Sequence, residues 1–237
     1  MENIKLSLPG NEDYFTQEVY KVLRTNVQFC GQDIKVIALT GYNENEGKTT
    51  IALHLGRSLS ELGKKVLVID ADMRKSVMAG RNANAKAAVG LSEVLSGLAT
   101  AEEATFATQY PNLRIIFSGK YPPNPVELLG GKYFAALIEQ QRKSYDYILI
   151  DTPPLGRVID AAVAANCCDG TLFVIGDSKL KSRQAQEVVA QLQKGGSRIL
   201  GVVINKLQTK GKAYYYARKG RYKYSYGGKY GAKKSTE

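Results

Sequence analysis

The chain contains no tryptophan, a single histidine, three cysteines and no apolar run near the roughly 18–20 residues that cross a bilayer. Each scarcity removes a class of function. The one histidine, His54, sits inside an apolar helical pattern, which leaves no material for a zinc centre or a serine–histidine hydrolase. Three cysteines give no disulfide framework. Cys167 and Cys168 are adjacent, without metal-ligand spacing, and read as small apolar side chains ahead of a strand. The opening residues MENIKLSLPGNEDY have neither the basic-then-apolar order of a signal peptide nor the composition of a transit peptide. Together these absences predict a cytoplasmic protein.

What is present is ordinary in bulk and uneven in detail. The 237 residues suffice for one α/β domain with a substantial core. Of the net charge of +11, residues 209–237 carry nine Lys/Arg against one Glu, a net of +8, which leaves +3 for residues 1–208. The same 29 residues hold seven of the fifteen tyrosines, five glycines and almost no aliphatic side chains. Such a segment cannot bury enough apolar surface to order itself, so 209–237 is expected to be a flexible, basic, tyrosine-rich tail.

Residues 1–208 read differently. Apolar runs at 35–40, 66–70, 113–118, 147–151, 171–176 and 199–205 are nearly continuous, the pattern of strands buried on both faces. Helical patterns lie between them at 49–62, 92–96, 126–143, 159–166 and 182–194, and another precedes them at 12–29. The alternation predicts an α/β fold with a mostly parallel sheet and helices on both faces. Ligands of such folds bind where strands end. Lys179, Lys181 and Arg183 are read as a solvated helix entrance, and 83–88 as a polar-alanine loop without chemistry.

The first strand runs into Thr40-Gly41-Tyr42-Asn43-Glu44-Asn45-Glu46-Gly47-Lys48-Thr49-Thr50. Gly47-Lys48-Thr49 between a buried strand and a helix is the closing half of a P-loop, or Walker A motif, whose backbone N–H groups cradle phosphate at a helix N-terminus. Lys48 is placed to meet the β- and γ-phosphates of ATP and the Thr49 hydroxyl to ligate Mg²⁺. Tyr42 occupies the place of the usual first glycine, with Gly41 one position early, and is expected to be a surface loop tyrosine. Asn45 enters left-handed backbone more easily than most residues. The second strand ends in Asp70-Ala-Asp72-Met-Arg74 and another in Asp151-Thr-Pro-Pro. Two carboxylates past one strand end repel unless a cation is near, and Asp151 stands at the Walker B position, which holds Mg²⁺. The reading assigns Thr49, Asp70 and Asp151 to the metal. Lys48, Asp70 and Asp72 are assigned to catalysis, Asp70 being the candidate base with Asp72 assisting, and Arg74 holding either phosphate or Asp72.

These residues resemble the bacterial tyrosine kinases of capsule and exopolysaccharide synthesis, in the stand-alone cytoplasmic form of Gram-positive bacteria. Residues 43–49 are similar to the family's Walker A loop, 69–74 to its Walker A′ motif (DxDxR), 148–153 to its Walker B, and 122–129 to a segment ahead of the helix leading into Walker B. Glu18, Lys21 and Arg24 resemble its ExxRxxR assembly motif, with lysine in place of one arginine, which keeps the charge and loses the bidentate fork. The resemblance implies a P-loop kinase domain at 1–208, with 1–30 as its N-terminal assembly segment. It implies nucleotide contacts from Asn43, Glu44, Asn45, Glu46, Gly47, Lys48, Thr49 and Thr50, and from Asn205 to the adenine. Phosphorylation in trans of Tyr214, Tyr215, Tyr216, Tyr222, Tyr224, Tyr226 and Tyr230 is implied, within a homo-oligomeric ring. So are a membrane-bound polysaccharide co-polymerase that activates the chain at the inner face of the membrane, and a protein-tyrosine phosphatase. A flexible tail of 29 residues has a mean span of about 27–32 Å, enough to reach a neighbouring subunit.

Two other functions compete. A non-kinase ATPase switch of the partitioning and positioning type shares the fold and both Walker aspartates, but such proteins carry a lysine where Asn43 stands and lack a terminal tyrosine block. A tail that binds nucleic acid or anionic lipid fits interleaved Lys/Arg and Tyr. Nucleic acid is not the expected partner.

Overall fold

Six apolar runs form six strands: β2 (Val36–Gly41), β3 (Val66–Asp70), β5 (Leu113–Ile116), β6 (Tyr147–Asp151), β7 (Gly170–Ile175) and β8 (Ile199–Ile204). Two short strands join them, β1 (Asn3–Ile4) and β4 (Thr105–Thr108). The computed structural model describes residues 3–9, 13–81, 89–176 and 180–206. The tail, with its seven candidate acceptor tyrosines, lies outside the described residues, as do Lys179 and the 83–88 loop. Across the eight-stranded sheet the order is β1-β4-β5-β3-β6-β2-β7-β8. Among the described pairings only β4 with β5 is antiparallel. The expected α/β P-loop architecture is therefore the observed one.

The helices are α1 (Tyr14–Gln28), α2 (Lys48–Ser60), α3 (Val77–Arg81), α4 (Leu91–Leu95), α5 (Ala101–Ala104), α6 (Pro125–Gly130), α7 (Lys132–Gln141), α8 (Asp160–Ala165) and α9 (Ser182–Lys194). Successive side chains of a central strand serve both faces, as period-two geometry requires. Ile37 and Leu39 pack with Leu53, Leu55 and Leu59 of α2, while Val36 packs with Phe134 and Leu137 of α7 and Ala38 with Leu192 of α9. Asp13 caps α1, its Oδ1 accepting the Thr16 N–H at 2.8 Å. The helical pattern at 126–143 is two helices, because Gly131 adopts an extended backbone (φ −81°, ψ 164°) that ends one and begins the other.

One expectation fails in part. The run 199–205 reads as buried on both faces, yet β8 is an edge strand, with Val202 53% and Ile204 56% exposed. At the amino edge of the sheet Asp169 aligns β2 with β7. Its Oδ2 accepts the Lys35 and Val36 N–H groups at 2.8 and 2.7 Å, and both its oxygens accept from the Arg142 guanidinium. On the other side of the sheet β3 and β6 end in register at Asp70 and Asp151, while the adjacent β2 continues past Leu39, the partner of Asp151, to Gly41. No helix among the described residues is long and apolar enough to cross a membrane.

Candidate functional site

The phosphate loop is built by two backbone requirements. Gly47 has φ +94°, a left-handed conformation, and a Cβ there would stand 2.0 Å from Asn205 Nδ2. Gly41 is needed for close approach: a Cβ would meet Glu46 Oε2 at 2.2 Å and the Val174 carbonyl at 2.8 Å. The displaced glycine of the motif thus makes room for the buried Glu46 carboxylate, which folds under the loop and accepts the Asn43 N–H at 3.0 Å. Asn45 takes the left-handed conformation its residue type permits (φ 59°). Tyr42 is half-buried, not a free surface side chain. Its ring lies against Gly156, and its carbonyl accepts the Gly156 N–H at 3.1 Å, which ties the phosphate loop to the loop after β6.

Lys48 opens α2 and is buried, its Nζ donating to the Asn43 carbonyl at 3.2 Å. Burial pulls its pKa down, and the Asp151, Glu46 and Asp72 charges pull the other way. Asp70 and Asp151 are register partners on neighbouring parallel strands, and both are buried. Such partners lie roughly 5 Å apart through the backbone, and their side chains leave the sheet on the same face. Burial raises the Asp70 carboxyl well above the carboxylate range, and the Asp151 charge adds to the effect. Burial likewise pushes Asp151 up to about 7, against the Thr49 hydroxyl and the Lys48 ammonium.

The two aspartates of the DxDxR stretch have different situations. Asp70 Oδ1 accepts the Asp72 N–H at 3.2 Å and Oδ2 accepts the Ser76 hydroxyl, so both oxygens are engaged away from solvent. Asp72 lines a cavity of about 480 Å³ together with Gly47, Lys48, Thr49 and Thr50. That volume suits a nucleotide-sized ligand. Burial raises the Asp72 carboxyl, while N–H groups of Lys75 and Arg74 on its Oδ1 lower it.

A hard divalent cation fits the donor set. Asp151 Oδ1 is buried without a hydrogen-bond partner, beside a second buried carboxylate and within range of the Thr49 hydroxyl. Among the described residues no three carboxylate, imidazole or thiol groups gather into a closed cage. Mg²⁺ is held in this open manner, by one or two carboxylates plus phosphate and water. Thr49, Asp70 and Asp151 are the residues that could hold it.

The wall of the cavity adds residues that sequence reasoning had left without a role here. Lys75 Nζ meets Glu44 at 3.1 Å and Arg157 Nη1 meets the same carboxylate at 3.8 Å, so Glu44 gathers two cations at the mouth. Lys206, with φ 58°, donates from Nζ to the Asn45 carbonyl at 2.5 Å. Its neighbour Asn205 donates from Nδ2 to the Glu46 carbonyl at 2.9 Å, so the end of β8 is bolted to the phosphate loop. Arg74, expected to hold phosphate or Asp72, is paired instead with Asp160 by Nε–Oδ2 at 2.8 Å and Nη2–Oδ1 at 3.2 Å. The Arg74 N–H donates to Asp72 Oδ1 at 3.3 Å, and its guanidinium also feels the Asp72 charge. The residues expected to serve assembly lie elsewhere, on α1: Lys21 pairs with Glu18 at 2.8 Å, and Arg24 donates to the Ser58 carbonyl at 2.7 Å.

Comparison with known proteins gives the same answer from another direction. Residues 34–192 match the AAA domain family. The chain is 42% identical over 192 residues to tyrosine-protein kinase CpsD of Streptococcus agalactiae serotype III (strain NEM316), covering 81% of this chain and 83% of that protein. It is 36% identical to tyrosine-protein kinase YwqD of Bacillus subtilis (strain 168), covering 79% and 80%. Among solved structures, the chimerical protein CapA2B2 superposes with a TM-score of 0.78 at 27% identity over 88% of this chain and 94% of that one. The kinase domain of the Escherichia coli tyrosine kinase ETK gives 0.77 at 27% identity, covering 82% and 78%. The septum site-determining protein MinD of Pyrococcus horikoshii OT3, complexed with Mg-ADP, gives 0.60 at 27% identity, covering 72% and 69%. The positioning ATPases thus share the fold at a greater distance. The chain belongs to the bacterial tyrosine-protein kinases.

Proposed function

We propose that this kinase transfers the γ-phosphoryl group of Mg-ATP to tyrosine hydroxyls in the 209–237 segment of another copy, and that the reaction serves capsular or exopolysaccharide synthesis. The observation that supports it most is the convergence at the ends of β2, β3 and β6. There the Lys48 ammonium and Asp72 line one cavity, and the buried Asp70–Asp151 pair lies close enough for Asp151 to act on Lys48 and Asp72 on Asp70. Lys48 binds and orients the β- and γ-phosphates, assisted by the N–H groups of the loop that Gly47 shapes. Asp72, in the cavity wall with its carboxyl raised, takes the phenol proton as the new O–P bond forms and the bond between Pγ and the bridging oxygen breaks, releasing ADP. This moves the base from Asp70, which does not line the cavity, to Asp72, which does. Asp70, Asp151 and Thr49 hold Mg²⁺, which when bound neutralises charge on the β- and γ-phosphates.

Assembly follows from α1. Phe15, Val19 and Val22 stand at i, i+4 and i+7 on that helix and are 40%, 47% and 50% exposed, an apolar stripe beside Glu18 and Lys21. The stripe supports contact with a second copy. Asn205 contacts adenine from its place beside the phosphate loop, and a membrane co-polymerase partner recruits the chain to the inner face of the membrane.

The test is direct. Purified protein incubated with Mg-ATP and the partner's activating segment is expected to yield phosphotyrosine in 209–237, detected by mass spectrometry. Release of free phosphate without any phosphotyrosine would instead support an ATPase switch.

A further inference from the structure

Among the described residues Asp160 is the most deeply buried carboxylate that none of the proposed steps uses. It is 0% exposed and begins α8, nine residues after Asp151 at the far end of the loop that follows β6. A carboxylate in such a place needs hydrogen-bond partners for both oxygens. The partner is Arg74, 86 residues away, which closes a side-on fork with contacts of 2.8 and 3.2 Å. A fork fixes the plane of the guanidinium, which a lysine could not do. Arg74 in turn is a residue of the cavity wall, with its side chain 32% exposed.

We propose that Asp160 is a positioning residue for phosphoryl transfer, which acts by locking the Arg74 guanidinium in the wall of the nucleotide cavity. The inference rests on the kinase reading and extends it. The pair joins the loop after β3, which carries Asp72, to the loop after β6, which begins at Thr152. Two routes lead from it to the reacting groups. One is the guanidinium itself, a permanent cation beside a site where charge spreads over the phosphoryl oxygens. The other is the backbone: the N–H groups of Arg74 and Lys75 donate to Asp72 Oδ1 at 3.3 and 2.9 Å, so a shift of Arg74 moves the carboxylate proposed as base. A pair required only for stability would be as well served by apolar side chains of similar volume. Its placement across the two catalytic loops argues for a role in the transition state.

The experiment is a double-mutant cycle on the full chain with Asp160→Asn, Arg74→Lys and the double variant, measuring tyrosine phosphorylation with Mg-ATP and the melting temperature. Asp160→Asn keeps the shape and removes the charge. It is expected to lower kcat on the order of 10–100-fold, with KM for Mg-ATP changed by less than about threefold. In the Arg74→Lys background the same change is expected to add less than about threefold, since the fork is already lost. A folded Asp160→Asn protein with wild-type kcat overturns the proposal, as does an equal loss in both backgrounds. If Asp160→Asn does not fold, Arg74→Lys decides alone, because its charge still pairs with Asp160: an unchanged kcat contradicts the proposal. The kinase reading fails separately, in the wild-type arm, if that protein releases phosphate and forms no phosphotyrosine. The cycle is then read on phosphate release, with the same pattern expected.

Discussion

Two buried carboxylates facing each other across neighbouring strands are an unstable arrangement by themselves. At Asp70 and Asp151 the folded chain holds its protons well above the usual carboxylate value of about 3.9. The sign of the pH effect follows. Between about pH 4 and pH 7 the folded protein binds more protons than the unfolded one, so stability present at the acid end is lost as pH rises through about 7, where Asp151 ionises. In EDTA the melting temperature is expected to fall between pH 5.5 and pH 8, by an amount equivalent to a few kcal/mol at most. Mg-ATP should narrow the difference, because a cation then takes the proton's place, and Asp151→Asn should flatten the EDTA curve. A melting temperature in EDTA that is level or rises over that range would contradict the paired-carboxylate account.

Elements differ in how visible they were beforehand. The strands at 66–70 and 147–151 and the helix at 182–194 are legible to the residue, because each is a continuous pattern bounded by polar residues or glycine. β4 and α5 were not, since Thr105–Thr108 and Ala101–Ala104 are four residues each, too short for periodicity to show. The loops of the candidate site were legible because glycine, lysine and aspartate sit at strand ends. Asp160 was not: an aspartate in the first turn of a helix usually only complements the helix dipole, and just the fold shows its distant arginine. Helix α1 was visible as a helix, but its exposed face was not. Replacing Val19 and Val22 with aspartate places two charges in that stripe, and light scattering should then report a smaller assembly at unchanged melting temperature. An unaltered mass would remove α1 from the assembly contact.

For the whole molecule, the parallel sheet does two jobs at its two edges. The amino edge is a structural clamp, where Asp169 and Arg142 align strands, and the carboxyl edge places Lys48 and Asp72 in the wall of one cavity with the buried acidic pair close by. The proposed acceptor tyrosines belong to the 209–237 segment, whose charge of +8 would turn negative after five or six phosphorylations at about −1.5 to −2 each. The central claim is that this cavity serves another copy's tyrosines. It is tested by mixing a Lys48→Met full-length chain, which cannot transfer phosphate, with a wild-type chain ending at Thr209, which has no acceptor tail, in the presence of Mg-ATP and the activating segment. The account predicts that each protein alone stays unlabelled and that the mixture places phosphotyrosine on the Lys48→Met chain. A mixture that remains unlabelled, or a Lys48→Met chain that labels itself, would contradict it.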